Sequence, residues 1–391
     1  MIAALRRPLA LWILSLGLSG TVQGAWKVQQ LTHCMGGTSD SPAISADGRR
    51  VVLVSSCDLV SEQNADHNRE LFRWKEGGSL EQLTHTERCE NREPALSRNG
   101  ARIAFVTSCP FGEANSRHYQ ELALFEAGEV KLLTDTAGSA YEHPALAPSG
   151  RYLAFLSSAD PLGRNPDHSQ EVFLFDLAQP GKLVQELTAD EQSACQDLVM
   201  ADGVVAFAGN GKRGGTNPEG NFEIYAASVG SELHELTRTR DCENRDPELN
   251  RVGNLVLFRS NCNLTGQNLN RYSELFLSRG GAEIEQLTQD LAEGVFQPSL
   301  AGSGLRAAFV SRWGRGFQNP DHNPEIFVLD LAAGRPELVV ETKNGGNYGP
   351  RLSADGRRLV FYANTNITDG NDDGSFEIYL AEEATSEGES P

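Results

Sequence analysis

The stretch SPAISADGRRVVLVSS, residues 41–56, decides the fold. It runs from a proline through a short apolar segment to Asp47-Gly48, a pair suited to a tight turn because glycine accepts positive φ without penalty. Val51 to Val54 then form a continuously apolar, mostly β-branched run, too short for a helix and typical of a strand covered on both faces. The same phrase returns as PALSRNGARIAFVTS at 94–108 and as PRLSADGRRLVFYAN at 350–364. Working outward, the turn glycine recurs at Gly48, Gly100, Gly150, Gly203, Gly253, Gly304 and Gly356. Each lies six residues after Pro42, Pro94, Pro144, Asp197, Pro247, Pro298 or Pro350, so the fourth copy alone lacks the proline. A glutamate before an apolar run recurs at Glu70, Glu121, Glu171, Glu223, Glu274, Glu325 and Glu377, with spacings of 51, 50, 52, 51, 51 and 52. Leu-Thr recurs at 31–32, 83–84, 133–134, 187–188, 236–237 and 287–288, and the sixth copy has a looser run from Leu338 to Thr342.

Each copy reads as four strands. In the second, Pro94 to Ser97, Arg102 to Ser108, Glu121 to Phe125 and Val130 to Thr134 alternate with turns and one longer loop. A single such sheet leaves its faces bare, whereas seven standing radially cover one another. The predicted fold is therefore all-β, a seven-bladed β-propeller. Its seventh copy ends after Glu377 to Leu380 without a fourth strand, while Trp26 to Thr32 is a fourth strand with no partners before it. The expectation is that the N-terminal strand closes the last blade and removes an unpaired edge.

The quoted repeats, followed by Glu, an aliphatic and an aromatic or near matches, resemble those of TolB-like, WD-type β-propellers over nearly the whole chain. The resemblance implies a propeller, but function is open because such folds serve both partner binding and catalysis. The chain has no room for the separate N-terminal domain of TolB itself.

The 391 residues carry 34 Lys and Arg against 53 Asp and Glu, a net charge of -19 that disfavours nucleic acid and anionic membrane surfaces as partners. Residues 1–25 read as a secretory signal, with Arg6 and Arg7 before the apolar Leu9 to Leu18 and small residues near Ala25. The expected organisation is a signal at 1–25, the propeller at 26–383 and a disordered acidic tail at 384–391. The product is expected to be a monomer, periplasmic or secreted from a bacterium, and not inserted in a membrane.

Cysteines agree with an oxidising compartment. Cys34, Cys89 and Cys242 lie between a Leu-Thr and the next repeat start, and Cys57, Cys109 and Cys262 lie where a second strand ends. In a blade these connections emerge on the same face, which predicts the disulfides Cys34–Cys57, Cys89–Cys109 and Cys242–Cys262. Cys195 is left as a buried or idle thiol.

The loop before each third strand carries Asn64, Asn115, Asn165, Asn217, Asn268, Asn319 or Asn371, six residues ahead of the repeat glutamate. In the seventh loop Asp369, Asn371, Asp373 and Glu377 have the alternating oxygens of a Ca²⁺ site, and Glu62, Asn64, Asp66 and Glu70 offer a weaker version. The competing reading is structural: Asn and Glu persist where Arg117 or Asn270 takes the middle position, so they fix the turn. His67, His118, His168 and His322 are spread around the rim and read as turn residues.

Residues ahead of the repeat proline, namely Glu93, Glu142, His143, Asp246 and Gln297, are expected at the mouth of the central channel. There they form either a polar, partner-binding mouth or a metal and acid–base site. Propeller lyases acting on pectin fragments use several histidines for their metal, and here only His143 holds such a position. Gly209-x-Gly211-x-x-Gly214 matches a dinucleotide fingerprint on paper, but the strand-like Glu223 to Ala226 follows it. The function expected from the sequence is a non-catalytic scaffold for a protein, peptide or glycan, with Ca²⁺ as its candidate stabilising ion. The alternative is a metal-dependent hydrolase or lyase built on Glu93, Glu142, His143 and Asp246.

Overall fold

The computed structural model describes residues 26–384 apart from positions 137, 139, 161, 180–182, 190–192, 213–216, 282, 290, 292 and 315–318. The expected export signal, the tail from residue 385 and Gly214 of the glycine motif lie outside the described residues. Seven four-stranded antiparallel sheets stand as blades, and no helix occurs among the described residues. The inner strands are Ser39–Ile44, Asn91–Leu96, Tyr141–Leu146, Cys195–Ala201, Asn244–Leu249, Val295–Leu300 and Asn347–Leu352.

The blades cohere through the continuously apolar second and third strands. Cross-strand aromatic pairs recur at one register position, with ring centroids 5.7 Å apart for Phe155–Phe173, 5.6 Å for Phe207–Tyr225, 5.9 Å for Phe258–Phe276, 5.7 Å for Phe309–Phe327 and 5.6 Å for Phe361–Tyr379. All of these rings are almost fully buried. Each lies between neighbouring blades, where burying an aromatic of roughly 150–250 Å² dominates the local energetics.

The ring closes as expected. Trp26–Gln30 pairs antiparallel with Glu377–Glu383, setting Gln30 opposite Tyr379 and Trp26 opposite Glu383. A second closure runs around the inner turns at the other end of the channel, where backbone amides bond from blade to blade. Ala46 N–H donates to Arg98 O at 2.9 Å and Arg98 N–H to Pro148 O at 2.8 Å, and the chain's ends join through Ala354 N–H to Ala46 O at 2.9 Å. Arg358 reaches over Gly48 (φ 70°), where a Cβ would stand 2.5 Å from its Cδ, so this turn needs glycine for both conformation and space.

The repeated Glu anchors a buried polar network with the threonine of the Leu-Thr pair, as at Glu70. Glu70 accepts from the Thr84 hydroxyl, from the Thr86 amide and hydroxyl at 2.6 Å each, and from Asn91 Nδ2 at 2.9 Å. Thr84 Oγ1 in turn accepts the Leu71 amide at 2.9 Å, fastening the outer strand to the third. In the sixth blade the pairing of Phe327 with Leu338, and the bond from Val339 N–H to Ile326 O, place Val340 where the other blades have this threonine. Glu325 thus has no hydroxyl from that position, and burial pushes its pKa up to about 7, against the opposing bonds from Thr342, Asn323 and Asn347.

The disulfides Cys34–Cys57, Cys89–Cys109 and Cys242–Cys262 form as expected, and Cys195 is buried outside any disulfide, with its thiol 3.9 Å from the Thr188 hydroxyl. No helix among the described residues is long and apolar enough to cross a membrane.

Candidate functional site at the channel mouth

Every inner strand is interrupted at the same place. The ladder to the second strand skips between Asp40 and Ala43, Arg92 and Ala95, Glu142 and Ala145, Gln196 and Val199, Arg245 and Glu248, Phe296 and Ser299, and Tyr348 and Arg351. The residue at each bulge has positive φ: Ser41 52°, Glu93 55°, His143 48°, Asp197 55°, Asp246 52°, Gln297 49° and Gly349 58°. In the six that carry a Cβ this left-handed conformation costs about 1–2 kcal/mol each. A bulge of this kind re-aims a side chain, and these seven residues line one cavity of about 510 Å³ over the channel.

The members of this ring are joined alternately. Glu93 Oε2 accepts the His143 amide at 2.7 Å, Asp197 Oδ2 the Asp246 amide at 3.2 Å, and Gln297 Oε1 the Gly349 amide at 2.9 Å. His143 Nδ1 stands 3.9 Å from Glu93 Oε2, with its imidazole half exposed to the cavity. Asp197 holds Arg245 at 2.9 Å and Asp246 holds Arg259 at 2.5 Å. Burial raises the pKa of Asp246 despite Arg259, and the neighbouring Asp197 charge adds to the rise.

One level deeper, the cross-strand positions are small at Ala43, Ala95, Ala145, Val199 and Ser299, but are Glu248 and Arg351 in blades five and seven. Arg351 Nη1 reaches Glu248 Oε1 at 2.9 Å across the channel, forming a charged floor to the cavity. Burial raises the Glu248 pKa, opposed by Arg351 and reinforced by Asp246.

Four of the five mouth residues singled out in the sequence, Glu93, His143, Asp246 and Gln297, come together here. Glu142 does not: it sits in the regular ladder opposite Leu156 and takes the Gln170 amide at 2.8 Å. Asp197 was assigned to the proline position of the fourth copy, but the bulge makes it the ring residue, with Leu198 where the others have proline. The turn at Asp202-Gly203 is one residue shorter than its counterparts, which shifted the count. Arg351 and Glu248, the residues directly after Pro350 and Pro247, were also missed.

The Asn-rich loops are built for turn geometry. Asn371 Nδ2 donates to Ser375 O at 2.8 Å and Thr365 O at 3.4 Å, and Asn64 Nδ2 likewise to Asn68 O at 3.0 Å and Cys57 O at 3.3 Å. Glu377 turns inward to the Thr32 hydroxyl and the Cys34 amide, each at 2.5 Å, while Asp373 accepts the Ser375 amide at 3.2 Å and Asp66 the Arg88 amide at 3.0 Å. In the seventh loop Asn371, Asp373 and Glu377 converge instead on the Ser375 hydroxyl, which lies 3.3, 2.8 and 3.2 Å from one oxygen of each. Among the described residues no three His, Cys, Asp or Glu side chains could share a metal ion, at these loops or at the mouth. His67, His118 and His168 each bring Nδ1 to a loop carbonyl, of Ser56, Ser108 and Ser158, at 3.3, 3.1 and 3.1 Å.

The sequence matches no known family profile and no curated protein. Among solved structures the chain is similar to an oligogalacturonate lyase in complex with manganese, at 11% identity and TM-score 0.63, covering 93% of this chain and 97% of that one. The oligogalacturonate lyase of Vibrio parahaemolyticus gives 11% identity and TM-score 0.61 over 92% and 98% of the two chains. TolB of Acinetobacter baumannii gives 13% identity and TM-score 0.39, over 90% of this chain and 64% of that one. These likenesses establish the propeller; they do not single out a WD-type family. They also correct the expectation of a non-catalytic scaffold. Two whole-chain neighbours are lyases, so a propeller of this extent is a setting for catalysis without any added domain. The manganese of one neighbour raises the question of a metal here, and the donor set does not fit one: Asp197 and Asp246 are each held by an arginine, Glu93 accepts a backbone amide, and His143 is the ring's single imidazole.

Proposed function

We propose that the protein is an exported glycan-cleaving enzyme, a lyase or hydrolase whose site is the channel mouth, with uronate oligosaccharides as its first candidate substrates. The observation that carries this reading is a contrast between two rings in one molecule. Where a position serves the blade, it holds one residue type: the buried Asn and Glu recur in all seven copies. At the strained bulge the backbone recurs but the side chains are Ser, Glu, His, Asp, Asp, Gln and Gly. A shared conformation with diversified groups facing one cavity supplies different chemical roles on a common frame.

Within that ring His143 is the single imidazole and serves as the general base, and Glu93 fixes its backbone and stands beside its imidazole. In a β-elimination the imidazole removes the proton at C5 of a uronate, next to the carboxylate. The C4–O bond then breaks with formation of a C4–C5 double bond, and the leaving oxygen receives a proton. Arg351 on the floor offers a cation to the substrate carboxylate while its charge builds. Disulfides on the mouth side suit an extracytoplasmic location, periplasmic or secreted.

The test is incubation of the disulfide-intact protein with oligogalacturonates, followed by ultraviolet absorbance of the unsaturated product and by reducing-end assay. Runs with added Mn²⁺ and with chelator should agree, and His143→Gln should lower kcat by about 10²- to 10⁴-fold. Absence of any cleaved uronate or neutral glycan under all these conditions would refute the proposal.

A further inference from the structure

Just outside the cavity the blades differ from one another. At the position two residues before the repeat proline, blades one, two, three and five carry Asp40, Arg92, Glu142 and Arg245, whereas blades six and seven carry Phe296 and Tyr348. In blade seven the aromatic character extends over three strands. Tyr348 and Tyr362 form a directly opposed cross-strand pair with centroids 5.7 Å apart, and Phe376 meets them edge-on at 6.0 and 5.5 Å. All three are half-buried, so each keeps part of its surface open. The corresponding places in blade one are Asp40, Val54 and Arg69, with Asp40 and Arg69 in an ion pair, and in blade three Glu142, Leu156 and Gln170, joined by a hydrogen bond. The aromatic cluster is thus a departure of one blade and not a requirement of the fold.

The same blade leaves the room that a ligand would need. Gly349 is the ring member without a side chain, and a Cβ there would lie 2.6 Å from Tyr362 Cε1. Tyr362 consequently lines the cavity beside Arg351, and its hydroxyl is paired with Gln297. Tyr362 at the cavity, backed by the rings of Tyr348 and Phe376 and standing beside the Arg351 guanidinium, matches a ligand with one apolar face and a polar rim. A pyranose has that form: axial C–H groups on one face, hydroxyls around the edge and, in a uronate, a carboxylate within reach of an arginine.

We infer that Tyr362, backed by Tyr348 and Phe376, forms a sugar-stacking subsite on the blade-seven side of the mouth, which seats one hexuronate ring of the substrate with its carboxylate toward Arg351. This inference rests on the glycan-cleaving reading above, and its test is kept separate by measuring binding instead of turnover. Trigalacturonate is titrated calorimetrically into the full protein and into Tyr348→Leu and Phe376→Leu, with saturation-transfer NMR on the unmodified protein recording which sugar protons touch aromatic rings. The expected result is transfer to C–H protons of one sugar face and about tenfold weaker binding in each variant, because Tyr362 loses a ring that holds it against the cavity. Tyr362→Phe, which keeps the ring and removes the hydroxyl, should retain stacking and its saturation transfer. Binding with these signatures but no cleavage sustains the subsite and overturns the catalytic reading. Cleavage, or binding, that is unchanged in both leucine variants overturns the subsite and leaves catalysis standing. If the leucine variants fail to fold, transfer from the unmodified protein decides: no transfer from aromatic protons, or no binding at all, overturns the subsite.

Discussion

Replacing Val340 by threonine tests the energetic logic of the blade network. In blade one, Thr84 donates its hydroxyl to Glu70 while accepting the Leu71 amide; in blade six Val340 occupies that place and Glu325 is left with Thr342, Asn323 and Asn347. Glu325 is completely buried, and its pKa rises from 4.5 to about 7. A carboxyl with a raised folded pKa binds its proton more tightly when native than when unfolded, so stability falls as pH rises from 4.5 towards 7. At roughly 1.4 kcal/mol per pH unit, the full cost above that window is about 3 kcal/mol. A hydroxyl donated to the ionised carboxylate contributes about 1.5–3 kcal/mol, more than to the neutral acid. Val340→Thr should therefore recover about 1–2 kcal/mol at pH 8 and much less at pH 4.5, where the native carboxyl is protonated and the added hydroxyl meets a neutral acid. Calorimetric melting of both proteins across pH 4.5 to 8.5, disulfides intact, reads the difference. Parallel pH profiles would refute the assignment of the missing threonine as the cause; Glu325→Gln, which cannot ionise, should flatten the same portion of the profile.

Breaking Cys89–Cys109 with a double serine replacement should destabilise the protein by about 3 kcal/mol on the chain-entropy estimate for a 20-residue separation, measured by urea denaturation. Removing residues 26–30 strips the outer strand from the seventh blade and exposes the edge of Glu377–Glu383; the expected outcome is a lower melting temperature together with concentration-dependent association by light scattering. Gly349→Ala places a methyl against Tyr362 at a φ of 58°, and should weaken trigalacturonate binding while the circular dichroism spectrum is retained.

Blade number, strand order and closure were legible because the chain repeats a phrase seven times, and each repeat states its own turns and buried strands. The disulfide pairs followed, since both partners belong to one repeat and to one face. The mouth was legible only in part, and the reason is physical. The turn at Asp202-Gly203 is one residue shorter than in the other copies, so Asp197, counted back from Gly203, looks like a substituted proline when it is the bulged residue itself. Regularity leaves two readings open at the Asn loops. The spacing of Asp369, Asn371, Asp373 and Glu377 is that of a cation loop, but sequence spacing does not say which way a carboxylate points, and Glu377 faces the threonine of the closing strand. Arg351 and Glu248 stand 103 residues apart and meet only because blades five and seven face each other over the channel. Their signal lay in a contrast available from the start: the residue after the repeat proline is Ala at 43, 95 and 145 and charged at 248 and 351. In a molecule made of copies, departures from the consensus at positions that face the axis carry the information about function, while the consensus itself describes the scaffold.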